Sequence, residues 1–93
     1  MKSMTSQYLE VTFRKGKPLA AYLYLPRKKG DQSARSEKFS EGLVIDFAAD
    51  GRAIGVEIVS PSALTLDGLN AALAHVSVEA ITAAELAPLK RVA

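Results

Sequence analysis

The chain has 93 residues, of which 48% are hydrophobic and 24% are charged. This balance is typical of one small globular domain and not of a disordered chain. Cysteine is absent, so disulfides and thiol chemistry are excluded. No apolar run is long enough for a transmembrane helix, and residues 1–7 lack the apolar core of a signal peptide. We therefore expect a cytoplasmic protein whose N-terminal segment, residues 1–7, is frayed.

Charge is distributed unevenly along the chain. Residues 1–40 carry nine basic and three acidic side chains, a net charge of +6, whereas residues 41–93 carry three basic and seven acidic ones, a net charge of −4. Such asymmetry favours an anionic partner or a self-complementary association. The simpler interpretation is a solvated basic surface loop that keeps the protein in solution.

The N-terminal half predicts two strands and a basic loop. Apolar and polar residues alternate with period two over residues 8–13, turn residues follow at 14–18, and a second strand is predicted over 19–25. An odd-length loop would place Leu23 on the core face and Tyr22 and Tyr24 on the opposite face. Residues 26–36 are polar and aperiodic and are predicted to form a loop.

Residues 43–59 predict a β-hairpin with its turn at Asp50 and Gly51, since an Asp-Gly pair between apolar runs is a strong hairpin signal. A two-residue loop there pairs six large apolar residues on one face: Phe47 with Ile54, Ile45 with Val56, and Leu43 with Ile58. A slip of one residue would expose half of them to water, so the register is well specified. On the other face, Asp46 would lie opposite Gly55 and diagonal to Glu57.

Helical signals dominate the C-terminal third. Thr65 suits the N-cap of a helix whose apolar stripe has helical spacing and comprises Leu66, Leu69, Leu73 and Val76. Thr82 and Glu85 form a capping box that opens a short last helix. We predict an α+β fold: an antiparallel four-stranded β-meander covered on one face by a C-terminal helix, plus a short final helix. One domain spans residues 8–89 with a basic loop at 26–36, and residues 90–93 form a tail.

The hairpin carries an acid at the end of its first strand, an Asp-Gly turn, and a glycine and a glutamate in its second strand: Asp46, Asp50, Gly51, Gly55 and Glu57. This pattern resembles the Domain of Unknown Function 2283 family of small bacterial proteins. Residues 22–25 are similar to that family's second strand, whereas the basic residues 15–17 stand where the family usually has acids. The resemblance implies a fold but no catalytic residues. Because some relatives are encoded beside small toxin-like proteins, it also implies an antitoxin-like binding role.

The sequence carries no recognisable catalytic or metal-binding pattern. His75 is the single histidine and no nucleophile motif accompanies it. One histidine without cysteine cannot complete a zinc site within one chain. Asp46, Asp50 and Glu57 have the spacing of an EF-hand loop, but Ala48 and Ile54 occupy two positions that should supply ligands. We predict no enzymatic activity and no cofactor, and we keep a carboxylate metal or ligand site as the least favoured alternative.

The favoured function is a non-enzymatic protein–protein interaction module. We expect a homodimer, or a complex with another small protein, and no membrane partner. The candidate interface lies on the sheet face opposite the helix and comprises Tyr22, Tyr24, Val44 and Val59, because aromatic residues on such a face are enriched at interfaces. The alternative is a nucleic-acid-associated protein whose phosphate contacts are Arg27, Lys28, Lys29 and Arg35.

Overall fold

A computed structural model describes residues 7–90 of the chain. Its elements, in chain order, are β1 (Tyr8–Arg14), β2 (Lys17–Tyr24), β3 (Arg35–Ser40), β4 (Leu43–Phe47), β5 (Ala53–Ile58), a 3₁₀ turn (Pro61–Ala63), α1 (Leu66–His75) and α2 (Ala83–Lys90). The predicted frayed segment falls outside the described residues except for Gln7, as does the predicted tail except for Lys90, which ends α2.

The five strands form one antiparallel sheet in the order β1-β2-β5-β4-β3. The α+β class is confirmed, but the four-stranded meander is wrong in two respects. A fifth strand, β3, is present, and β2 pairs with β5 rather than with its successor along the chain. The sequence of β3 is polar and most of its residues are exposed, so it lacks the alternation by which strands are recognised. It occupies an edge, where polar and charged strands are best tolerated, and the apolar β5 takes the centre.

The β1–β2 hairpin differs from the predicted odd-length loop. Its loop is two residues long, because Arg14 pairs with Lys17, and both loop residues have positive φ, 53° at Lys15 and 79° at Gly16. This is the geometry of a type I′ turn. One residue of β2 is then passed over, since Thr12 pairs with Ala20 and Phe13 pairs with Pro18. The extra residue in the bulge has the same effect on side-chain alternation as the predicted odd-length loop. Tyr22 and Tyr24 therefore lie on the face opposite the core, as predicted.

The β4–β5 hairpin also combines a loop of unpredicted length with a bulge that restores the predicted core register. Ala48 and Arg52 are hydrogen-bonded around a three-residue loop, in which Gly51 has a φ of 94°. Phe47 therefore pairs with Ala53 rather than with Ile54, and a bulge follows. Beyond the bulge the predicted register is confirmed: Leu43 with Ile58, Ile45 with Val56, and Asp46 with Gly55.

The hydrophobic core lies between one face of the sheet and the two helices. Leu25, Ile45, Val56 and Leu69 are almost fully buried there. The predicted stripe of α1 is confirmed: its central residues are buried and its end residues pack partly against the core. The hydroxyl of Thr65 accepts the Gly68 backbone N–H at 2.9 Å, which confirms the predicted N-cap.

The α2 helix begins with the predicted capping box. The Glu85 backbone N–H donates to the Thr82 hydroxyl at 3.2 Å, and the Thr82 backbone N–H donates to the Glu85 carboxylate at 2.8 Å. An amide that the sequence did not indicate fixes the chain just before this helix. The side chain of Asn70 donates to the backbone carbonyl of Ile81 at 3.1 Å and accepts its backbone N–H at 2.9 Å. This pair of bonds ties α1 to the segment that leads into α2.

Candidate functional site

The sheet face opposite the helices carries the candidate site, and we call it the tyrosine face. Two rows of paired residues cross it from β1 to β3. One row reads Tyr8, Tyr24, Gly55, Asp46, Ser36, and the other reads Glu10, Tyr22, Glu57, Val44, Lys38. Because α1 and α2 contribute their buried residues to the other face, neither helix covers these rows.

A hydrogen-bonded triad lies at the centre of the tyrosine face. The Tyr22 hydroxyl donates to Oδ2 of Asp46 at 2.7 Å, and the Ser36 hydroxyl donates to Oδ1 of the same carboxylate at 2.5 Å. Tyr22 reaches Asp46 by crossing over Gly55 on the strand between them. A Cβ atom at Gly55 would lie 1.9 Å from the Tyr22 hydroxyl oxygen, so this crossing requires glycine.

This environment favours the neutral form of the Tyr22 phenol. Burial and the adjacent Asp46 carboxylate, which accepts the phenol proton as a hydrogen bond, raise the pKa of Tyr22 to about 12. At neutral pH the phenol is therefore a hydrogen-bond donor, and it is not available as a base or as a nucleophile.

Three tyrosines form a packed aromatic cluster beside the triad. The rings of Tyr8 and Tyr24 are stacked with centroids 4.5 Å apart, and Tyr22 meets Tyr24 edge-on at 4.7 Å. The guanidinium carbon of Arg27 lies 5.1 Å from the centroid of the Tyr24 ring. The Tyr24 hydroxyl donates to the Glu10 carboxylate at 3.2 Å. Tyr8 nevertheless remains 52% exposed, so the cluster presents an ordered aromatic surface to solvent.

The structure brings most of the predicted interface together. Tyr22, Tyr24 and Val44 share the tyrosine face and are half-buried. Val59 lies just beyond the end of β5 and is 46% exposed. Sequence reasoning did not include Tyr8 in this set. The sequence did indicate its face, because Tyr8 and Leu9 are neighbours in an alternating strand and Leu9 packs against the core. The residue that lies opposite Tyr8 across the β1–β2 hairpin, however, depended on the bulge.

The four candidate phosphate contacts do not form one patch. The guanidinium of Arg27 donates to the backbone carbonyl of Ile54 and packs on Tyr24, beside the tyrosine face. Arg35 pairs with Glu37 and lies over the Phe47 ring, on the core side of the sheet. Lys28 and Lys29 are exposed in the connecting loop. The predicted loop 26–36 is also shorter, because β3 already begins at Arg35.

A clamp centred on Arg52 joins the turn of the β4–β5 hairpin to the loop between β2 and β3. The guanidinium donates to both oxygens of Asp31, at 2.8 and 3.0 Å, and to Asp50 at 2.7 Å. Hydrogen bonds from Arg52 lower the pKa of both carboxyl groups, Asp31 and Asp50. Asp50 thus has a structural partner. The 21-residue separation between Asp31 and Arg52 carries no local pattern that would reveal this clamp.

The other chemically interesting residues are dispersed. His75 is exposed in the last turn of α1, with its ring 5.4 Å from that of Phe39. Glu57 is exposed on the tyrosine face, opposite Tyr22 on one side and Val44 on the other. Within residues 7–90, no three acidic or histidine side chains are grouped closely enough to hold a metal ion. Neither helix in this part of the chain is long and apolar enough to cross a membrane.

Comparison with known proteins identifies a family over the central part of the chain. Residues 20–62 match the profile of the family described as "Protein of unknown function (DUF2283)". The predicted resemblance is confirmed. The DUF2283 segment contains β3, β4, β5 and most of β2, and with them the whole Tyr22–Asp46–Ser36 triad and Gly55. Tyr8 and Glu10 lie outside it. No curated protein and no solved structure shows a significant match to the chain.

Proposed function

We propose that this chain is a non-enzymatic protein–protein interaction module that docks its partner through the tyrosine face. One observation carries the proposal: Tyr8 is stacked on Tyr24 and yet 52% exposed. Aromatic side chains are the commonest anchors of protein interfaces. Rings already held by their neighbours lose little conformational freedom when a partner arrives, so more of the contact energy contributes to affinity.

The polar groups of this face support recognition rather than catalysis. The hydroxyls of Tyr22 and Ser36 both donate to Asp46, so these groups satisfy one another instead of converging on a substrate. The phenol of Tyr22, with its pKa raised to about 12, is protonated at neutral pH and donates to Asp46. A fixed hydrogen-bonded triad of this kind rigidifies a docking surface. We further propose a cytoplasmic location, in keeping with the absence of cysteine, and a small protein as the partner class, as in an antitoxin-like role.

The proposal is tested by capture experiments with matched variants. We expect the tagged chain to retain a partner protein, including a differently tagged copy of itself, from cytoplasmic extract. Tyr8→Ser should abolish this retention because it removes the outer ring of the aromatic cluster. Phe13→Ser is the matched control, since Phe13 is similarly exposed, at 48%, but alternates with Thr12 onto the other side of β1. Mass spectrometry quantifies the retained protein, and equal loss with both variants would contradict the proposal.

A further inference from the structure

The tyrosine face has two unlike halves on either side of β5. The half formed by β1 and β2 is a ridge of large side chains: Tyr8, Glu10, Tyr22 and Tyr24. The half formed by β4 and β3 carries the shorter side chains Val44, Asp46 and Ser36, and one long one, Lys38, on the edge strand. The central strand has Gly55 between them. A surface with a ridge on one side and a lower strip on the other is complementary in shape to a reversed copy of itself.

Charge follows the same division. In the row Glu10, Tyr22, Glu57, Val44, Lys38, the acid Glu10 lies two strands from β5 on one side, and the base Lys38 lies two strands from β5 on the other. Both side chains are exposed, and each has a partner in its own chain: Glu10 accepts the Tyr24 hydroxyl at 3.2 Å, and Lys38 pairs with Glu41 at 3.1 Å. If a second copy of the row is turned around β5 and laid over the first, Glu10 of each copy lies over Lys38 of the other.

We propose that the partner of the tyrosine face is a second copy of this chain, packed face to face about a two-fold axis parallel to β5. This inference rests on the proposed function and specifies its partner. The axis places β1 of each copy over β3 of the other, so that Glu10 faces Lys38 of the second copy twice in one dimer. The ridge of each copy then lies over the low strip of the other, in an isologous interface with nearly aligned strands.

The alternative in-plane axis, perpendicular to the strands, is disfavoured by the same residues. It places β1 over β1 and β3 over β3, so Glu10 and Lys38 of the two copies cannot meet, and with the axis through their row each would face its own counterpart. It also sets the two tyrosine ridges against each other. Like charges across an interface oppose association, which leaves the parallel axis as the arrangement in which the ridge meets the low strip and Glu10 meets Lys38.

The size of the face indicates a reversible dimer. Five strands at a spacing of about 4.8 Å, each with about six residues rising about 3.3 Å, give a patch roughly 20 Å on a side. Two such faces bury roughly 800 Å² in all, which is below the about 1,200–2,000 Å² of stable interfaces and within the range of weak, transient ones. Glu57 is on β5, close to the proposed axis, and meets Glu57 of the second copy. Its charge weakens the dimer, so we expect Glu57→Gln to lower the dissociation constant.

A charge-reversal experiment tests the arrangement. We expect Glu10→Lys alone and Lys38→Glu alone each to raise the dimer dissociation constant about tenfold, because each creates two like-charge contacts. Mixing the two variants should produce a heterodimer in which both contacts are attractive again, with affinity near that of the unchanged protein. Sedimentation velocity over a concentration series gives the constants, and native mass spectrometry with tags of different mass identifies the heterodimer.

Lys29→Glu is the control for a general charge effect, because Lys29 is exposed in the loop and belongs to neither row of the face, and it should leave the dissociation constant unchanged. Circular dichroism verifies that each variant is folded. A mixture that associates no more tightly than its components overturns the arrangement. A monomeric protein at high concentration also overturns it. In either case, Tyr8-dependent capture of a different protein would still support the proposed function.

Discussion

At the scale of single residues, Gly55 determines the geometry of the tyrosine face. The hydroxyl of Tyr22 occupies the space that any side chain at position 55 would need. Glycine is required at position 55 because the phenol of Tyr22 crosses it to reach Asp46. Backbone conformation does not require it, since the φ of Gly55 is not positive. Gly55 and Asp46 therefore belong to one structural arrangement, even though they are nine positions apart in the chain.

Gly55→Ala tests this relationship. The new methyl group must displace the Tyr22 ring and break its hydrogen bond to the Asp46 carboxylate, so we expect the free energy of unfolding to fall by about 1–3 kcal/mol. In a Tyr22→Ser background the same change should be neutral or slightly stabilising, because the space is then vacant and alanine restricts the unfolded chain. Urea unfolding of the four proteins gives the comparison. An equal loss in both backgrounds would contradict the assignment.

Tyr22 should also be visible in an alkaline titration. Its pKa in the folded protein, about 12, exceeds the ordinary value of 10.0, so folding favours the protonated phenol. The stabilisation associated with this shift is fully present below about pH 10 and is lost as the pH rises toward 12. Ultraviolet absorbance of tyrosinate should contain a late step that Tyr22→Phe removes. Asp46→Asn should move that step to lower pH, and an unmoved step would exclude the carboxylate as a cause.

At the scale of elements, the end of α1 shows how sequence and geometry can disagree locally. Ser77 adopts a φ of 61°, a conformation that favours glycine. The backbone N–H of Val78 donates to the backbone carbonyl of Leu73, and the backbone N–H of Ser77 donates to the backbone carbonyl of Ala74. This is the hydrogen-bond pattern of a Schellman motif. A serine at this position gives no sign of such a helix end in the sequence, because glycine is the residue that usually marks it.

Ser77→Gly should therefore stabilise the protein. Relief of the left-handed strain is worth about 0.5–1 kcal/mol, and thermal unfolding should show a higher midpoint. Ser62→Gly is the matched control, because Ser62 is exposed but is not among the residues with positive φ. It should be neutral or slightly destabilising. A gain at both positions would indicate a general effect of removing serine rather than relief of strain at the helix end.

At the scale of the whole molecule, the predictable parts were those that depend on local periodicity. The pairing of Leu43 with Ile58, the stripe of α1 and the capping box of α2 each follow from residues close in sequence. The position of β3 and the clamp between Asp31 and Arg52 could not be predicted this way. A polar edge strand has no alternation to detect, and a long-range ion pair is specified only by the folded chain.

The turns show a further limit. Both hairpins reach the predicted core register by combining a loop of unexpected length with a one-residue bulge. Burial of an apolar face determines which residues must pair. It does not determine the length of the loop or the position of the bulge that together produce this pairing. Core pairing was therefore predictable where turn geometry was not, and the neighbours of Tyr8 on the tyrosine face depended on that geometry.

The central place of β5 has a consequence for the order in which the protein can fold. β5 is the last strand along the chain, yet it lies between β2 and β4. Until residue 58 has left the ribosome, the sheet consists of two separate hairpins, β1–β2 and β3–β4, and a lone two-stranded hairpin is at best marginally stable in water. Insertion of β5 joins them in one step across about 34 residues of chain. The nascent protein thus has no complete sheet, and no complete tyrosine face, until β5 has left the ribosome.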